Sequence, residues 1–310
     1  MDYQDIYDPM DVDEEFETKV EVLNRNIRIN SANPVALLDF LSQQRIRCDA
    51  TNEDGLIQCI HDFLVTAPDL GDDEKHSGAD GSVYLRNGHA YKFSLEPSAV
   101  SAIEKEFDLM LGFQCLGFFP CVKFYITSAG GDKRLLISER LRGTPLASMR
   151  RPFHQNEVQN VCNALYDCVQ TLHAHKIAHL DLHCGNVMYH EHDGIKILDF
   201  GLSCGKLHDC RLTCLWRGYE NFPNLPPEFK CEGRPDGRIE LEDAMKADYF
   251  SMGYLLKIIV SSLLQHIPPN QVNYHGLHPG TKQSILAYAG LDVDCLMSAI
   301  PDTRLTCQRH

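Results

Sequence analysis

The spacing of apolar residues predicts two helices near the start of the chain. Asn33 can cap the first helix, Pro34 suits its first turn, and apolar residues recur from there to Leu41. The second helix fits Glu53–Val65, where apolar residues again recur at helical spacing. The pattern leaves open whether these two helices pack on the domain that follows or bind a partner.

From about residue 68 the pattern shifts to short strands around one helix. The strand-like runs are Ala90–Phe93, Val122–Thr127 and Leu135–Ser138, and glycines mark the turn between the last two. The helix covers Ser98–Phe113 and has a continuous apolar face. This part of the chain therefore predicts a mainly antiparallel sheet with one helix.

The second half of the chain is predominantly helical. Val161, Leu165 and Leu172 recur at helical spacing and predict a helix that ends near residue 173. The most apolar stretch, Tyr254–Leu264, is short and contains Lys257, so we expect a buried helix rather than a membrane span.

Composition and charge narrow the class of protein. The 310 residues are 44% hydrophobic and 23% charged, which is ordinary for a globular protein. The net charge of −14 argues against general affinity for nucleic acid or anionic membranes. Residues 2–17 hold eight acidic and no basic residues, so residues 1–19 are predicted to be a disordered acidic tail.

Thirteen cysteines are scattered along the chain, none in a Cys-x-x-Cys pair, and no secretory leader is visible. We therefore expect free thiols and an intracellular location, in the cytoplasm or nucleus. Cys204, His208, Cys210 and Cys214 are close enough to suggest zinc, but their spacing matches no tetrahedral pattern.

Candidate chemistry concentrates in residues 173–201. Asp181 and Asn186 lie in a polar loop, and Asp199 follows a short apolar strand. Two carboxylates and one amide on adjacent loops suit a divalent cation that prefers oxygen ligands. A carboxylate left free of metal could orient a hydroxyl group and accept its proton.

The order His179-x-Asp181, then Asn186, then a strand and Asp199-Phe-Gly resembles the catalytic and metal-binding loops of protein kinases. The resemblance implies that Asp181 is the catalytic base and that Asn186 and Asp199 hold Mg²⁺ during transfer of the γ-phosphoryl group of ATP. His183 stands where serine/threonine kinases usually carry lysine. It either contacts the γ-phosphate when protonated or only hydrogen-bonds the loop.

Upstream, Gly78, Gly81 and Val83 resemble the glycine-rich loop that covers the ATP phosphates in this family, with His76 in place of its first glycine. A histidine at that position lacks the close approach of backbone to phosphate that glycine allows.

Ala90 and Lys92 resemble the strand that carries the phosphate-binding lysine. On the helix that follows, we expect Glu106 rather than Glu104 to hold Lys92 toward the phosphates. Residues 139–143 resemble the hinge between lobes, which implies that adenine binds the backbone of Glu139 and Leu141.

Three later features are similar to the large lobe of protein kinases. They are Pro226-Pro227-Glu228, a helix that starts at Asp248, and Arg304, which would pair with Glu228. The aspartate would tie down the catalytic loop through backbone hydrogen bonds. Leu180 replaces the arginine that contacts a phosphorylated activation loop, so we predict activity without phosphorylation of Ser203, Thr213 or Tyr219.

The resemblance covers about residues 68–310 and implies an α+β, bilobal protein-kinase fold. We expect an acidic tail and helical extension over 1–67, then a small antiparallel β lobe with one helix over 68–138. A hinge over 139–143 leads to a larger, mainly α-helical lobe over 144–310.

The implied function is a protein kinase that phosphorylates Ser/Thr hydroxyls of protein substrates with ATP and Mg²⁺. A regulatory partner on the N-terminal extension is a further expectation. Two alternatives stay open. The Asp181-Leu-His183 form is also similar to small-molecule phosphotransferases of the aminoglycoside and choline kinase type. A pseudokinase scaffold would keep the fold without phosphoryl transfer.

Overall fold

The structure is a computed structural model. It describes residues 34–46, 53–66, 74–78, 81–94, 100–113, 116–128, 130–205, 210, 223–229, 238–273, 278–298 and 304. The acidic tail predicted over residues 1–19 lies outside this part of the chain.

The chain forms two compact units. The first unit contains residues 1–107 and 121–140, and the second contains residues 108–120 and 141–310. The helical extension is therefore grouped with the predicted small lobe rather than set apart from it, and the end of the predicted Ser98–Phe113 helix is grouped with the large lobe.

Among the described residues, the first unit contains two helices, most of a third and one five-stranded sheet. The elements are α1 (Pro34–Gln43), α2 (Glu53–Thr66), β1 (Glu74–Gly78), β2 (Gly81–Arg86), β3 (His89–Ser94), α3 (Val100–Phe113), β4 (Val122–Thr127) and β5 (Arg134–Glu139). The helices and strands β3 to β5 lie close to their predicted positions, whereas the sequence pattern gave no bounds for β1 and β2. The sheet order is β1-β2-β3-β5-β4, and every pairing is antiparallel.

The strand register gives this sheet two different faces. Tyr91 and Phe93 of β3 point to one face, where they join a buried cluster with Leu37 and Leu41 of α1 and residues of α2. Lys92 lies between these two aromatic residues and therefore points to the other face. The N-terminal helices thus pack on the domain that follows them, on the sheet face opposite Lys92.

In its described residues, the second unit is mainly helical and also contains two small sheets. Its strands are β6 (Thr144–Pro145), β7 (Ile177–Ala178), β8 (Val187–His190), β9 (Gly194–Ile197) and β10 (Cys204–Gly205). Its helices are α4 (Gln155–Ala174), α5 (Leu241–Gln265), α6 (Thr281–Ala289) and α7 (Val293–Leu296). The sheets are β6-β8-β9 and β10-β7. The presence of one sheet-containing unit and one mainly helical unit confirms the predicted α+β class.

Helix α5 forms the core of the second unit. It begins at Leu241, so the prediction that it starts at Asp248 was wrong by two turns. Glu242 and Asp243 occupy the first turn, where acidic side chains favour the helix dipole, and this marks the true start. By length and composition α5 could cross a membrane, but 78% of its most apolar window is buried inside the protein. It is the buried helix that the sequence predicted.

The cysteines do not all follow the prediction of free thiols. Cys204 and Cys210 are joined by a disulfide, so the prediction was wrong for this pair. Five other described cysteines are free: Cys59, Cys121, Cys162, Cys168 and Cys184. The described residues contain no cluster of three metal-binding side chains, and His208 and Cys214 of the suggested zinc site lie outside them.

One carboxylate on α5 fixes the loop that follows β7. Asp248 is fully buried, and its Oδ1 accepts a hydrogen bond from the backbone N–H of Leu180 at 2.8 Å. Its Oδ2 accepts from the backbone N–H of His179 at 2.7 Å and lies 3.0 Å from Nε2 of His173. These are the backbone hydrogen bonds that the sequence predicted for Asp248. They connect α5 to the start of the loop that carries Asp181.

We predict that Asp248→Asn destabilises the second unit. The amide keeps one acceptor oxygen and directs N–H donors at groups that are themselves donors, so at least one buried donor loses its partner. The free energy of unfolding should fall by about 2–3 kcal/mol. Urea denaturation followed by circular dichroism measures the change.

The matched control is Asp294→Asn, because Asp294 is exposed and pairs with Lys282 at the surface. It should cost at most about 1 kcal/mol. Equal denaturation midpoints for the two variants would contradict the anchoring role of Asp248.

Candidate active site

A hairpin brings the candidate metal ligands to one end of the β6-β8-β9 sheet. Asn186 directly precedes β8, and Asp199 lies two residues after β9 ends at Ile197. Val187 pairs with Ile197, and the backbone N–H of Leu198 donates to the carbonyl of Asn186 at 2.8 Å. The strand register therefore holds Asn186 and Asp199 beside each other.

The side chains of Asp181 and Asn186 are directly connected. Nδ2 of Asn186 donates to Oδ2 of Asp181 at 2.9 Å and to the backbone carbonyl of Asp181 at 3.0 Å. These bonds use the amide nitrogen, so the Oδ1 atom of Asn186 is the one directed toward a cation. Within the described residues, Oδ1 of Asp181 accepts no hydrogen bond, which leaves one carboxylate oxygen for an acceptor hydroxyl group.

Backbone geometry also positions the acids. Leu180, directly before Asp181, has φ +65°, and Asp199 has φ +60°, in the left-handed region that non-glycine residues rarely adopt. Strained backbone of this kind persists only where the surroundings enforce it. Here the hydrogen bond from Leu180 to Asp248 supplies that constraint.

His179 belongs to the motif His179-x-Asp181, but the sequence predicted no role for it. Its ring lies between the two loops: Nδ1 accepts from the backbone N–H of Asp181 at 3.1 Å, and Nε2 donates to the carbonyl of Leu198 at 3.0 Å. Complete burial lowers the pKa of His179, which keeps the ring neutral and able to bond in both directions. Only the motif His179-x-Asp181 could have indicated this positioning role.

His183 makes the loop hydrogen bond, which is one of its two predicted roles, and its contact with the γ-phosphate stays a prediction. Nδ1 accepts from the backbone N–H of Gly185 at 2.9 Å, which stabilises the loop, and Nε2 lies 3.6 Å from Oδ2 of Asp181. Burial opposes protonation of the ring, but Asp181 and then Asp199 outweigh it and raise the pKa of His183.

The donor set at this end of the hairpin fits Mg²⁺. Asn186 offers an amide oxygen and Asp199 a carboxylate, and Mg²⁺ is commonly bound by one or two carboxylates with water and phosphate oxygens. No sulfur or nitrogen ligand is required.

In the first unit, Lys92 and Glu106 form a close ion pair. Nζ of Lys92 lies 2.6 Å from Oε2 of Glu106, and the two side chains are only 14% and 9% exposed. The pair connects β3 to α3, and Glu106 rather than Glu104 is the partner, as the sequence predicted. Phe107 of α3 stacks on Tyr125 of β4 with ring centroids 4.4 Å apart, so packing holds the helix where this ion pair forms.

The predicted phosphate loop begins with a tight hairpin. Gly78 pairs with Gly81, and Gly81 has φ +136°. A Cβ atom at Gly81 would lie 1.8 Å from the carbonyl oxygen of Phe93, so only glycine fits there. Val83 pairs directly with Lys92, and Ala90 lies two residues before Lys92, so all three point to one face of the sheet. His76 pairs with Val83, and its side chain lies outside the described part of the chain.

The two residues predicted to bind adenine differ in how their backbones are used. In the first unit, the N–H of Glu139 donates to the carbonyl of Cys121 at 2.9 Å, which leaves the Glu139 carbonyl as the group for a ligand. That carbonyl accepts only a long bond of 3.4 Å from Ser138 Oγ. In the second unit, the backbone of Leu141 makes no hydrogen bond to any described residue.

The segment after Asp199 is fixed by buried contacts. Phe200 is fully buried and stacks on Phe119 with ring centroids 4.5 Å apart. Ser203 is also fully buried and donates to the carbonyl of His179 at 3.2 Å.

Arg304 is buried over the ring of Phe250. Its predicted pairing with Glu228 cannot be assigned, since the Glu228 side chain lies outside the described residues.

Comparison with known proteins agrees with this geometry. The protein kinase domain family matches residues 92–274, more than half of the chain. A probable cyclin-dependent kinase 10 of Dictyostelium discoideum is 32% identical over 81 residues, which are 25% of this chain and 22% of that protein. The probable serine/threonine-protein kinase mkcC of the same organism is 32% identical over 133 residues, 41% of this chain and 15% of that protein.

Serine/threonine-protein kinase 10-A of Xenopus laevis is 27% identical over 134 residues, 43% of this chain and 13% of that protein. The chain therefore spans less than a quarter of the length of each of these relatives. The matched region contains Lys92, Glu106, Asp181, Asn186 and Asp199. By the extent of that match, this chain belongs to the protein kinase family.

Proposed function

We propose that this protein kinase transfers the γ-phosphoryl group of Mg·ATP to serine or threonine hydroxyls of protein substrates. The observation that carries the proposal is the direct bond between Asp181 and Asn186 beside Asp199. This hydrogen bond connects Asp181, the proposed base, to Asn186, which with Asp199 offers only oxygen atoms to a metal ion. The names of two of the distant relatives, which are serine/threonine-protein kinases, support the choice of serine or threonine.

Asp181 acts as the base in this proposal. Its Oδ2 is held by Asn186, and its Oδ1 receives the hydrogen bond of the acceptor hydroxyl. The carboxylate orients that hydroxyl toward the γ-phosphorus atom and accepts its proton as the new oxygen–phosphorus bond forms. The bond from the γ-phosphorus atom to the oxygen that bridges to the β-phosphate breaks, and ADP leaves. General-base assistance of this kind contributes roughly 10²–10⁴-fold to a rate.

Asn186 and Asp199 would hold Mg²⁺, which neutralises phosphate charge when bound. Lys92, oriented by Glu106, adds a compact positive charge for the phosphates. The Glu139 carbonyl and the Leu141 backbone are the groups that we assign to adenine.

A small-molecule phosphotransferase and a pseudokinase scaffold are the competing functions. The Lys92–Glu106 ion pair and the connected Asp181–Asn186 side chains argue against the scaffold, because a protein that moves no phosphoryl group has no need of both. The protein kinase match over 92–274 argues against the small-molecule enzymes.

We infer an intracellular location from the thirteen cysteines, of which five described ones are free thiols. The Cys204–Cys210 disulfide and the disulfide-bonded state of Cys295 favour an oxidising compartment instead. The charge of −14 favours protein partners over nucleic acid or anionic membranes. A regulatory partner on the N-terminal extension stays a prediction.

We predict that Asp181→Asn lowers kcat by about 10²–10⁴-fold, because the amide cannot accept the hydroxyl proton. The measurement is transfer of labelled γ-phosphate from Mg·ATP to a generic basic protein, followed by phosphoamino-acid analysis. The control is Asp294→Asn, a surface carboxylate that should leave transfer unchanged.

Label on serine or threonine that disappears with Asp181→Asn supports the protein kinase. ATP binding without transfer to protein, followed by transfer to a small alcohol, would establish the rival enzyme. ATP binding without any transfer would leave the scaffold.

We predict a pH profile that depends on His183. If the protonated ring contacts the γ-phosphate, kcat falls as pH rises through the raised pKa of His183, above its usual value of about 6.5. His183→Lys should then keep its activity to higher pH, because lysine stays protonated. If His183 only hydrogen-bonds Gly185, His183→Lys changes stability and leaves the alkaline limb of the profile where it was.

We also predict activity without phosphorylation of the segment after Asp199. Leu180 is buried in an apolar cluster, so the position that would offer an arginine to a phosphate carries no charge. Ser203 is fully buried and unsuited to modification, which narrows the test to Thr213→Ala and Tyr219→Phe. Phosphatase-treated protein and this double variant should keep the activity of untreated protein. Loss of activity in either sample would show that a phosphate is needed.

A further inference from the structure

A cavity with charged residues in its lining lies in the second unit beside the catalytic loop. Its volume is about 620 Å³, and its lining includes Ser148, Arg150, Arg151, Tyr189 and Glu191. One wall is the short turn Leu146–Ser148, whose Ala147 N–H donates to the carbonyl of Cys184 at 2.8 Å. The cavity is therefore built against the loop that carries Asp181.

The opposite wall is the small sheet that also holds Asn186. β8 runs from Val187 to His190, and its Tyr189 pairs with Thr144 of β6. From Asn186 to His190 the extended strand covers about 13 Å, at about 3.3 Å per residue. A ligand in the cavity would thus lie within a few residues' reach of the proposed phosphorylation site.

A partly exposed hydrogen-bond network connects the residues of this wall. Arg151 donates twice to Glu157, at 2.8 and 2.6 Å, and the hydroxyl of Tyr189 donates to the same carboxylate at 3.0 Å. The hydrogen bonds from Arg151 hold the pKa of Glu157 at about 2, so the carboxylate stays ionised. The charge of Arg151 is therefore already matched by Glu157, and Arg151 shapes the cavity rather than attracting a ligand.

Two other arginines at the cavity have no such partner. Arg150 lines it and Arg142 precedes the lining residue Gly143. Both are exposed, and neither forms an ion pair or hydrogen bond with any residue that the structure describes. Residues 140–151 contain four arginines and no acidic residue, in a chain of net charge −14. The charges of Arg142 and Arg150, unmatched within the described residues, suit an anionic ligand.

One acidic residue opposes that attraction. Glu191 lines the same cavity, with its side chain 66% exposed, and lies 3.5 Å from the ring of His192. Its carboxylate would repel an anion bound near Arg150 and so offers a variant with the opposite expected effect.

We propose that this cavity is a docking site for an acidic segment of the protein substrate, separate from the residue that is phosphorylated. Arg150 and Arg142 bind its carboxylates, and Ser148 and Thr144 offer hydroxyl groups. Spanning about 13 Å takes about four extended residues, so the acidic segment stands at least that far from the acceptor serine or threonine. This inference names the substrate class for the proposed kinase and rests on that function.

The direct test measures binding of fluorescein-labelled hexaglutamate to the full chain by anisotropy, which needs no phosphoryl transfer. The double variant Arg142→Gln/Arg150→Gln should bind about tenfold more weakly, since each exposed ion pair contributes up to about 1 kcal/mol. Glu191→Gln should bind more tightly than wild type. Added salt should weaken binding in all of them.

The matched control removes two exposed cations of the first unit, Arg45→Gln/Lys123→Gln, and should bind as wild type does. An equal loss in the two double variants would reduce the effect to net charge and overturn the proposal. So would absence of hexaglutamate binding to wild type.

The chain's own acidic residues 2–17 are the competing occupant. If hexaglutamate binds only to a full-length variant in which these eight residues are replaced by amides, the tail fills the cavity and the proposal fails.

A kinetic arm separates this inference from the proposed function. A peptide whose acceptor serine lies six residues from a run of glutamates should show a lower KM than the same peptide with glutamines in place of those glutamates. The Arg142→Gln/Arg150→Gln variant should lose that difference with kcat unchanged. Transfer with equal KM for both peptides rejects the docking site and keeps the kinase. Binding without any transfer rejects the kinase alone.

Discussion

The carboxylate of Asp248 sets the geometry of the second unit's functional loop. It is fully buried on α5, and both of its oxygens accept backbone hydrogen bonds, from His179 and Leu180. A buried charge is tolerated only when it is fully hydrogen-bonded, so these two backbone positions cannot move independently of the helix. Asp181 follows directly, and Asn186 binds Asp181, so the proposed base and metal ligand are positioned through the same anchor.

In the first unit, side-chain packing rather than a buried carboxylate positions Lys92. The β3 strand points Tyr91 and Phe93 into a cluster shared with the N-terminal helices, while Lys92 points to the opposite face and pairs with Glu106. The extension is therefore part of the core behind the lysine rather than an appended segment. Alternation along one strand explains both roles, because successive side chains point to opposite faces.

The distribution of charge adds a functional distinction that net charge conceals. The chain has a net charge of −14, but residues 140–151 contain four arginines, and the roles of these arginines differ. Arg151 is matched by Glu157, whereas Arg142 and Arg150 are unmatched beside a cavity. Counting residues cannot separate these cases, because an ion pair within the protein cancels the field that would attract a ligand.

The sequence by itself determined the α+β class, the approximate bounds of α1, α2, α3 and strands β3 to β5, and the identity of the acids in the proposed active site. Local periodicity and a motif of fixed spacing carry that information without the fold. Only the tertiary structure decided that α5 starts two turns before Asp248, that His179 connects the two loops and that Cys204 bonds to Cys210. It also decided that α1 and α2 cover the sheet. These features depend on contacts between residues far apart in the chain or on side-chain orientation, and no local pattern specifies either.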